Sequence, residues 1–332
     1  MVDMAPPPSA LLLGEGDPTF DVPRPIHRTI PRADRIFRTI SAGAALVALV
    51  IICATAAFLA WSSRGGIKAA GFINFFTTSR WNAGAGKFGV AGLLLGTVLI
   101  AVIGLLVAVP LSIGLALFAN EYAPSRIRRP LTGAIDLLAA LPSLIFGLWG
   151  LFALQGPLKG IAQWFADHLS AIPIFRVQGG ADLSRSAFIG GVVIGLMILP
   201  IATSVTRDVM AQCPREQCEA ALGLGGTRAG MIRNVLMPFS RSGTVGAILL
   251  GFGRALGETV AILIIVSLQV KPTTRVLEVG GGSIAAWIAS KFGEAGEVEI
   301  SALIAAGLAL FVLTLVVNLG ARRVVNKARS AT

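Results

Sequence analysis

Charge is scarce in this chain. Of 332 residues only 14% are Asp, Glu, Lys or Arg, against about a quarter in an ordinary soluble domain. With 55% apolar residues, that shortfall excludes a water-soluble globular protein and leaves an integral membrane protein. Histidine is rarer still. His27 and His168 are the only two, neither lies in an apolar block, and no metal cluster is suggested. Cysteine occurs three times: Cys53 in the first apolar block, Cys213 and Cys218 in a polar segment. No pairing pattern appears, and a cytosolic face keeps the latter two reduced. The phosphate-cradling pattern G-x-x-x-x-G-K-[ST] is missing; the run GAGKF at 84–88 ends in Phe, so the chain does not bind ATP phosphates itself. H-E-x-x-H and G-x-S-x-G are missing too, which argues against a membrane-embedded enzyme. Acidic residues number 17 against 28 basic ones. The basic residues are scattered between apolar blocks and form no single patch, which excludes a nucleic-acid partner.

What is present is a series of apolar blocks, each near the twenty or so residues a helix needs to cross a bilayer. Six are predicted, near 39–61, 92–118, 131–155, 187–206, 243–269 and 300–320. They make residues 38–325 an all-α membrane domain of six transmembrane helices. Residues 1–37 hold seven of the seventeen prolines and read as a disordered arm. The pairs Gly92/Gly96, Gly191/Gly195 and Gly253/Gly257 suit close helix packing. Two outer loops have apolar residues at helical spacing. Leu158, Ile161, Trp164, Phe165 and Leu169 form one set; Ile284, Trp287, Ile288 and Phe292 form the other. Both are expected to lie flat at the membrane surface, the alternative being contact with a partner outside.

Lys and Arg set the orientation. With Arg38 at the membrane edge, the arm, the loop after the second block, the segment 207–242 and the C-terminal tail hold seventeen of them, and the alternate loops ten. Basic residues mark the cytoplasmic side, so both termini and segment 207–242 are predicted to face the cytoplasm. The first outer loop departs from the rule, with Arg64, Lys68, Arg80 and Lys87 and no acid. Glu121 and Asp136 fall near the inner face and receive no role.

Segment 207–242 contains EAALGLGGTRAGMIRNVLMP at 219–238. It reads as two short helices around a glycine turn, with Thr227 capping the second and Pro238 stopping it. Glu219, Ala220, Ala221, Gly225, Val235, Met237 and Pro238 fit E-A-A, three residues, G, nine residues, I-x-L-P, with Val and Met replacing Ile and Leu. The pattern resembles the EAA loop of ABC-importer permeases. The resemblance implies a type I permease bundle that docks an ATPase through Glu219, Ala220, Ala221, Gly225 and Pro238.

The fifth block holds Arg254 and Glu258, charges that cost roughly 2.5–3.5 kcal/mol each at mid-bilayer. Four residues apart on one helix, they share a face. Two readings stay open: an ion pair that fixes helix packing, and a substrate site in which the planar guanidinium takes an oxyanion. Residues 75–320 resemble the C-type permease of the Pst phosphate importers, through KFGVAGLLLG at 87–96, LPS at 141–143 and RALGETVAI at 254–262. The likeness implies a role for Arg254 and Glu258 in phosphate passage, and Pro142 and Ser143 as residues that line the path or kink the helix. It further implies residence in a bacterial cell membrane. Its implied partners are a second permease (PstA-type), an ABC ATPase dimer (PstB-type) that alone uses ATP, an external phosphate-binding protein (PstS-type) and lipid. No cofactor is expected in the chain itself. The EAA loop alone does not distinguish phosphate from sulfate or molybdate.

Overall fold

The computed structural model describes residues 32–329. Most of the proline-rich stretch read as an arm lies outside them, but residues 32–37 are helical: α1 (Arg32–Ser62) starts well before the predicted block. The chain divides into two compact units after Ala54. In the first, α1 presents exposed apolar side chains such as Ile40, Leu46 and Val50, as a lipid-facing helix does.

The second unit continues with α2 (Arg64–Ala70), α3 (Phe72–Thr77) and a hairpin of β1 (Trp81–Asn82) and β2 (Lys87–Phe88), paired Trp81 to Phe88. Then come α4 (Ala91–Leu117), α5 (Ser125–Ala139), α6 (Ser143–Trp149), α7 (Gln155–His168), α8 (Ala187–Ala211), α9 (Arg215–Gly223), α10 (Arg228–Met231), α11 (Met237–Leu256), α12 (Val260–Ile265), α13 (Ile284–Lys291) and α14 (Glu297–Arg329). Wide π turns at Phe118–Tyr122, Gly150–Leu154 and Ile232–Leu236 extend α4, join α6 to α7 and join α10 to α11. Six of the resulting helices are long and apolar enough to cross a membrane: Ala33–Ser62, Ala91–Tyr122, Ser143–His168, Ala187–Ala211, Arg228–Leu256 and Glu297–Gly320.

The count agrees with the sequence, but two spans are displaced. The third was expected at 131–155. The chain instead breaks at 140–142, leaving α5 as a separate helix and starting the span at Ser143. Pro142 therefore kinks no helix; it is extended, with φ −60° and ψ 142°, just before α6. The stretch expected to lie flat at 156–169 is α7, the far end of that span. The fifth span was expected at 243–269. It begins at Arg228, because Pro238 sits in the first turn of α11 and does not stop the helix. A proline lacks the N–H for an i→i−4 bond and crowds the preceding turn; the π turn directly before it lies where that register is lost.

Packing centres on α4 against α8. A Cβ on Gly104 would lie 3.2 Å from the Gly191 carbonyl and 3.3 Å from the Gly195 nitrogen. Side chains there would force the helices apart. Gly92 and Gly96 work differently: a Cβ would overlap the carbonyls of Val270 and Gly282, in the loop after α12. Gly253 and Gly257 pack against no neighbouring helix; Gly257 ends α11. Helix α13 is not laid on lipid along its apolar side, since Ile284 is fully buried with Phe75, Val90 and Leu93. The hairpin is clasped to α14 by Trp81 Nε1, which donates to Glu299 Oε1 at 2.8 Å.

Candidate functional site: a charged helix break and an exposed helical turn

Helix α9 carries Glu219, Ala220 and Ala221 and ends in a turn with a defined hydrogen-bond pattern. The Gly226 N–H donates to Ala221 O at 3.2 Å and the Gly225 N–H to Leu222 O at 3.0 Å. This pair closes a helix when the donor of the inner bond is left-handed, and Gly225 has φ +84°. A side chain there is strained. Leu224, at the apex, is 90% exposed. Thr227 then caps the next helix, its Oγ1 accepting from the Gly230 N–H at 3.1 Å, as its position predicted. Glu219, Ala220, Gly225 and Pro238 are exposed, whereas Ala221 turns partly inward. Beneath the turn, Met210, Cys213, Met231 and Leu236 pack with Ala116 of α4. Cys213 and Cys218 stay free thiols with sulfurs 3.8 Å apart. Burial, then the neighbouring Cys218, pushes the Cys213 thiol up to about 11.

The membrane site is assembled differently from the sequence expectation. Arg254 and Glu258 do not share a helical face, because α11 ends at Leu256 and Glu258 lies in the break before α12. Among the described residues no ion pair joins them. Arg254 is exposed on the last turn of α11. Glu258 is 7% exposed. Its Oε1 accepts the Ala261 N–H at 3.2 Å, capping α12, and its carbonyl accepts the Ser283 hydroxyl at 3.4 Å.

The structure does bring the 141–143 segment to this break. A Cβ on Gly147 would lie 3.0 Å from Ala261 Cα, and one on Gly150 would lie 2.9 Å from Ile265. These contacts advance together along both chains, so α6 and α12 run parallel. Ser143, one turn before Gly147, therefore comes level with the break before α12, less than a turn from Val260. Ser143 is half-buried and Pro142 exposed. Two helix starts side by side concentrate peptide N–H dipoles at a point where the chain is unwound. Interrupted helices of this kind bind ions inside membranes. The sequence pointed to both segments separately; what it lacked was the break, since 257–265 is as apolar as the helix before it.

A polar cluster at the Ala211 end of α8 was missed. Arg207 Nη1 is 3.7 Å from Asp136 on α5, and Arg207 Nη2 is 2.9 Å from Asp208. The Ser204 hydroxyl donates to Asp136 at 3.0 Å, and Asn120 Nδ2 donates to the Arg207 carbonyl at 2.9 Å. Asp136 thus holds α5 to α8, a role invisible while 131–155 was read as one span.

Residues 108–330 match the family described as binding-protein-dependent transport system inner membrane component. The chain is 41% identical over 303 residues to the phosphate transport system permease protein PstC 2 of Mycobacterium bovis, covering 90% of this chain and 93% of that protein. It is 36% identical over 293 residues to the phosphate transport system permease protein PstC of Xylella fastidiosa, covering 88% and 90%. A crystal structure of a bacterial ABC transporter that imports the acidic polysaccharide alginate matches with a TM-score of 0.54 at 18% identity, over 88% of this chain and 99% of that one; this likeness concerns the fold.

Proposed function

Because the chain belongs to the family of binding-protein-dependent transport system inner membrane components, we propose that it is the permease subunit of an ATP-driven phosphate importer and forms part of the path for inorganic phosphate. The carrying observation is the 41% identity to a phosphate permease across nearly the whole of both chains. It is a multi-pass membrane transport subunit and not an enzyme.

Within this reading Arg254 meets the anion. Its guanidinium offers a planar donor fork for phosphate oxygens, and it is exposed at the break. The start of α6 adds peptide N–H groups, and Ser143 a hydroxyl. Pro142 keeps α5 and α6 apart. Glu258 acts through α12, whose first turn it caps, and so holds the break open. The α9–α10 turn, with Glu219, Ala220, Ala221 and Gly225, docks one copy of a paired ATPase. ATP is used there, and the permease binds none. A second permease completes the path, and an external phosphate-binding protein delivers the ion. Both termini and the α9–α10 turn face the cytoplasm, following the Lys and Arg distribution.

Uptake of labelled phosphate by proteoliposomes holding the complete transporter tests the reading. Unlabelled phosphate should compete, and sulfate and molybdate should not. Competition by sulfate at equal concentration would replace phosphate with another oxyanion.

A further inference from the structure

Buried polar groups in folded proteins are nearly always hydrogen-bonded, more so where no water is at hand. Among the described residues, four buried side-chain atoms lack a partner: Thr206 Oγ1, Arg207 Nη1, Thr244 Oγ1 and Trp287 Nε1. Two of these four, Thr206 and Thr244, belong to one place, the crossing of α8 and α11 toward Ala211, and Arg207 directly follows Thr206, turned to Asp136 of α5. The register follows from close contacts. A Cβ on Gly243 would press on Val209, and one on Gly251 would lie 3.6 Å from Ile198. The helices therefore run antiparallel, and the turn that holds Thr244 faces the turn that holds Thr206. Thr206 lies four residues after Ala202 and three before Val209, on the side of α8 turned to α11.

Thr206 is fully buried and Thr244 is 6% exposed. Valine has nearly the same volume as threonine, so packing alone does not call for these hydroxyls. Next to them Arg207 is held by Asp136 and Asp208, yet its Nη1 makes no hydrogen bond. Two hydroxyls without a partner, next to a guanidinium nitrogen whose nearest acceptor is Asp136 Oδ1 at 3.7 Å, form a donor set with capacity left for an oxyanion. Ala202, Gly243 and Ala247 line the same seam, so parting it exposes little apolar surface. The two carboxylates oppose lasting anion binding there, which suits a place the ion passes.

We propose that the α8–α11 crossing is a second anion-contact station, on the inward half of the path, where Thr206, Thr244 and Arg207 donate to an oxyanion as the helices part. This rests on the reading of the chain as a phosphate permease.

The test uses the complete transporter in proteoliposomes, with phosphate at sub-saturating concentration. Thr206→Val, Thr244→Val, their double variant and the two serine variants are compared for membrane level, ATPase turnover and uptake. The double valine variant should reach the membrane at the parent level or above and keep its ATPase turnover. Its uptake should fall roughly tenfold, the loss of hydrogen bonds to a charged group. The serine variants should transport like the parent. Parent-level uptake by the double valine variant overturns the proposal. So does a loss confined to membrane level, with uptake per molecule unchanged, because the hydroxyls would then serve the fold. The parent is assayed first with phosphate and sulfate. If sulfate is the imported ion, the substrate reading fails, while the station is judged by the same variants with sulfate.

Discussion

Arg254 is exposed on its own chain and has no ion-pair partner among the described residues. Neutralising it therefore strands no buried charge. Arg254→Gln should reach the membrane at the parent level and lose phosphate uptake. Arg254→Lys keeps the charge, loses the planar fork, and should lose most uptake. The structure separates Glu258 from this behaviour. Glu258→Gln retains an oxygen that accepts the Ala261 N–H, so assembly should hold. Glu258→Ala removes the cap, costing about 1 kcal/mol, and should lower membrane level. Restored transport in the double variant Arg254→Gln, Glu258→Gln would show the two to be a packing pair after all. The cysteines respond to their surroundings in the same residue-by-residue way. Cys218 is partly exposed, whereas Cys213 is buried with its thiol raised to about 11. A maleimide should label Cys218 first. Labelling of Cys213 should quicken with each pH step up toward 11, as the thiolate fraction grows. Labelling of either from outside intact cells by an impermeant reagent would reverse the orientation.

At the scale of helices and turns, the α9–α10 turn depends on Gly225. Gly225→Val places a β-branched residue at φ +84°, which costs more than 1 kcal/mol. The turn should unravel while the spans insert, and copurification of the ATPase should fall at least severalfold. Retention of a fully coupled ATPase would remove the docking role from this turn. This helix pair was legible from sequence, because the glycines, Thr227 and the E-A-A run are strong local signals. The breaks at 140–142 and 257–259 were not. Each lies in apolar sequence, where hydropathy is the same for a helix and for chain unwound against neighbouring helices. The break at Glu258 depends on partners distant in sequence, such as Ser283. Pro238 misled for a related reason: a proline in the first turn after a π turn looks the same in sequence as one that ends a helix.

For the whole molecule, six spans and membrane residence were readable from block length alone. That 141–143 comes level with the break before α12 was not, since only the parallel packing of α6 and α12 places it there. The stretch 266–283 was likewise expected to be the end of the fifth span and the start of an outer loop. It is packed so closely on α4 that Gly92 and Gly96 have no room for a side chain. Gly96→Val should therefore cut the amount of folded transporter by displacing that loop, at about 1–3 kcal/mol for the overlap, measurable as a lower Tm of the purified complex. An unchanged Tm would mean the loop yields freely.

The π turn at Ile232–Leu236 stands between the exposed α9–α10 turn and the helix that carries Arg254. Such a turn holds one residue more than the α-helix on either side of it. If it migrates by one position, the residue it passes rotates by about 100° about the axis, and only a few hydrogen bonds change hands. The extra residue thus offsets every side chain beyond it, Arg254 included, by about 100° from the heading an unbroken helix would give it relative to the α9–α10 turn.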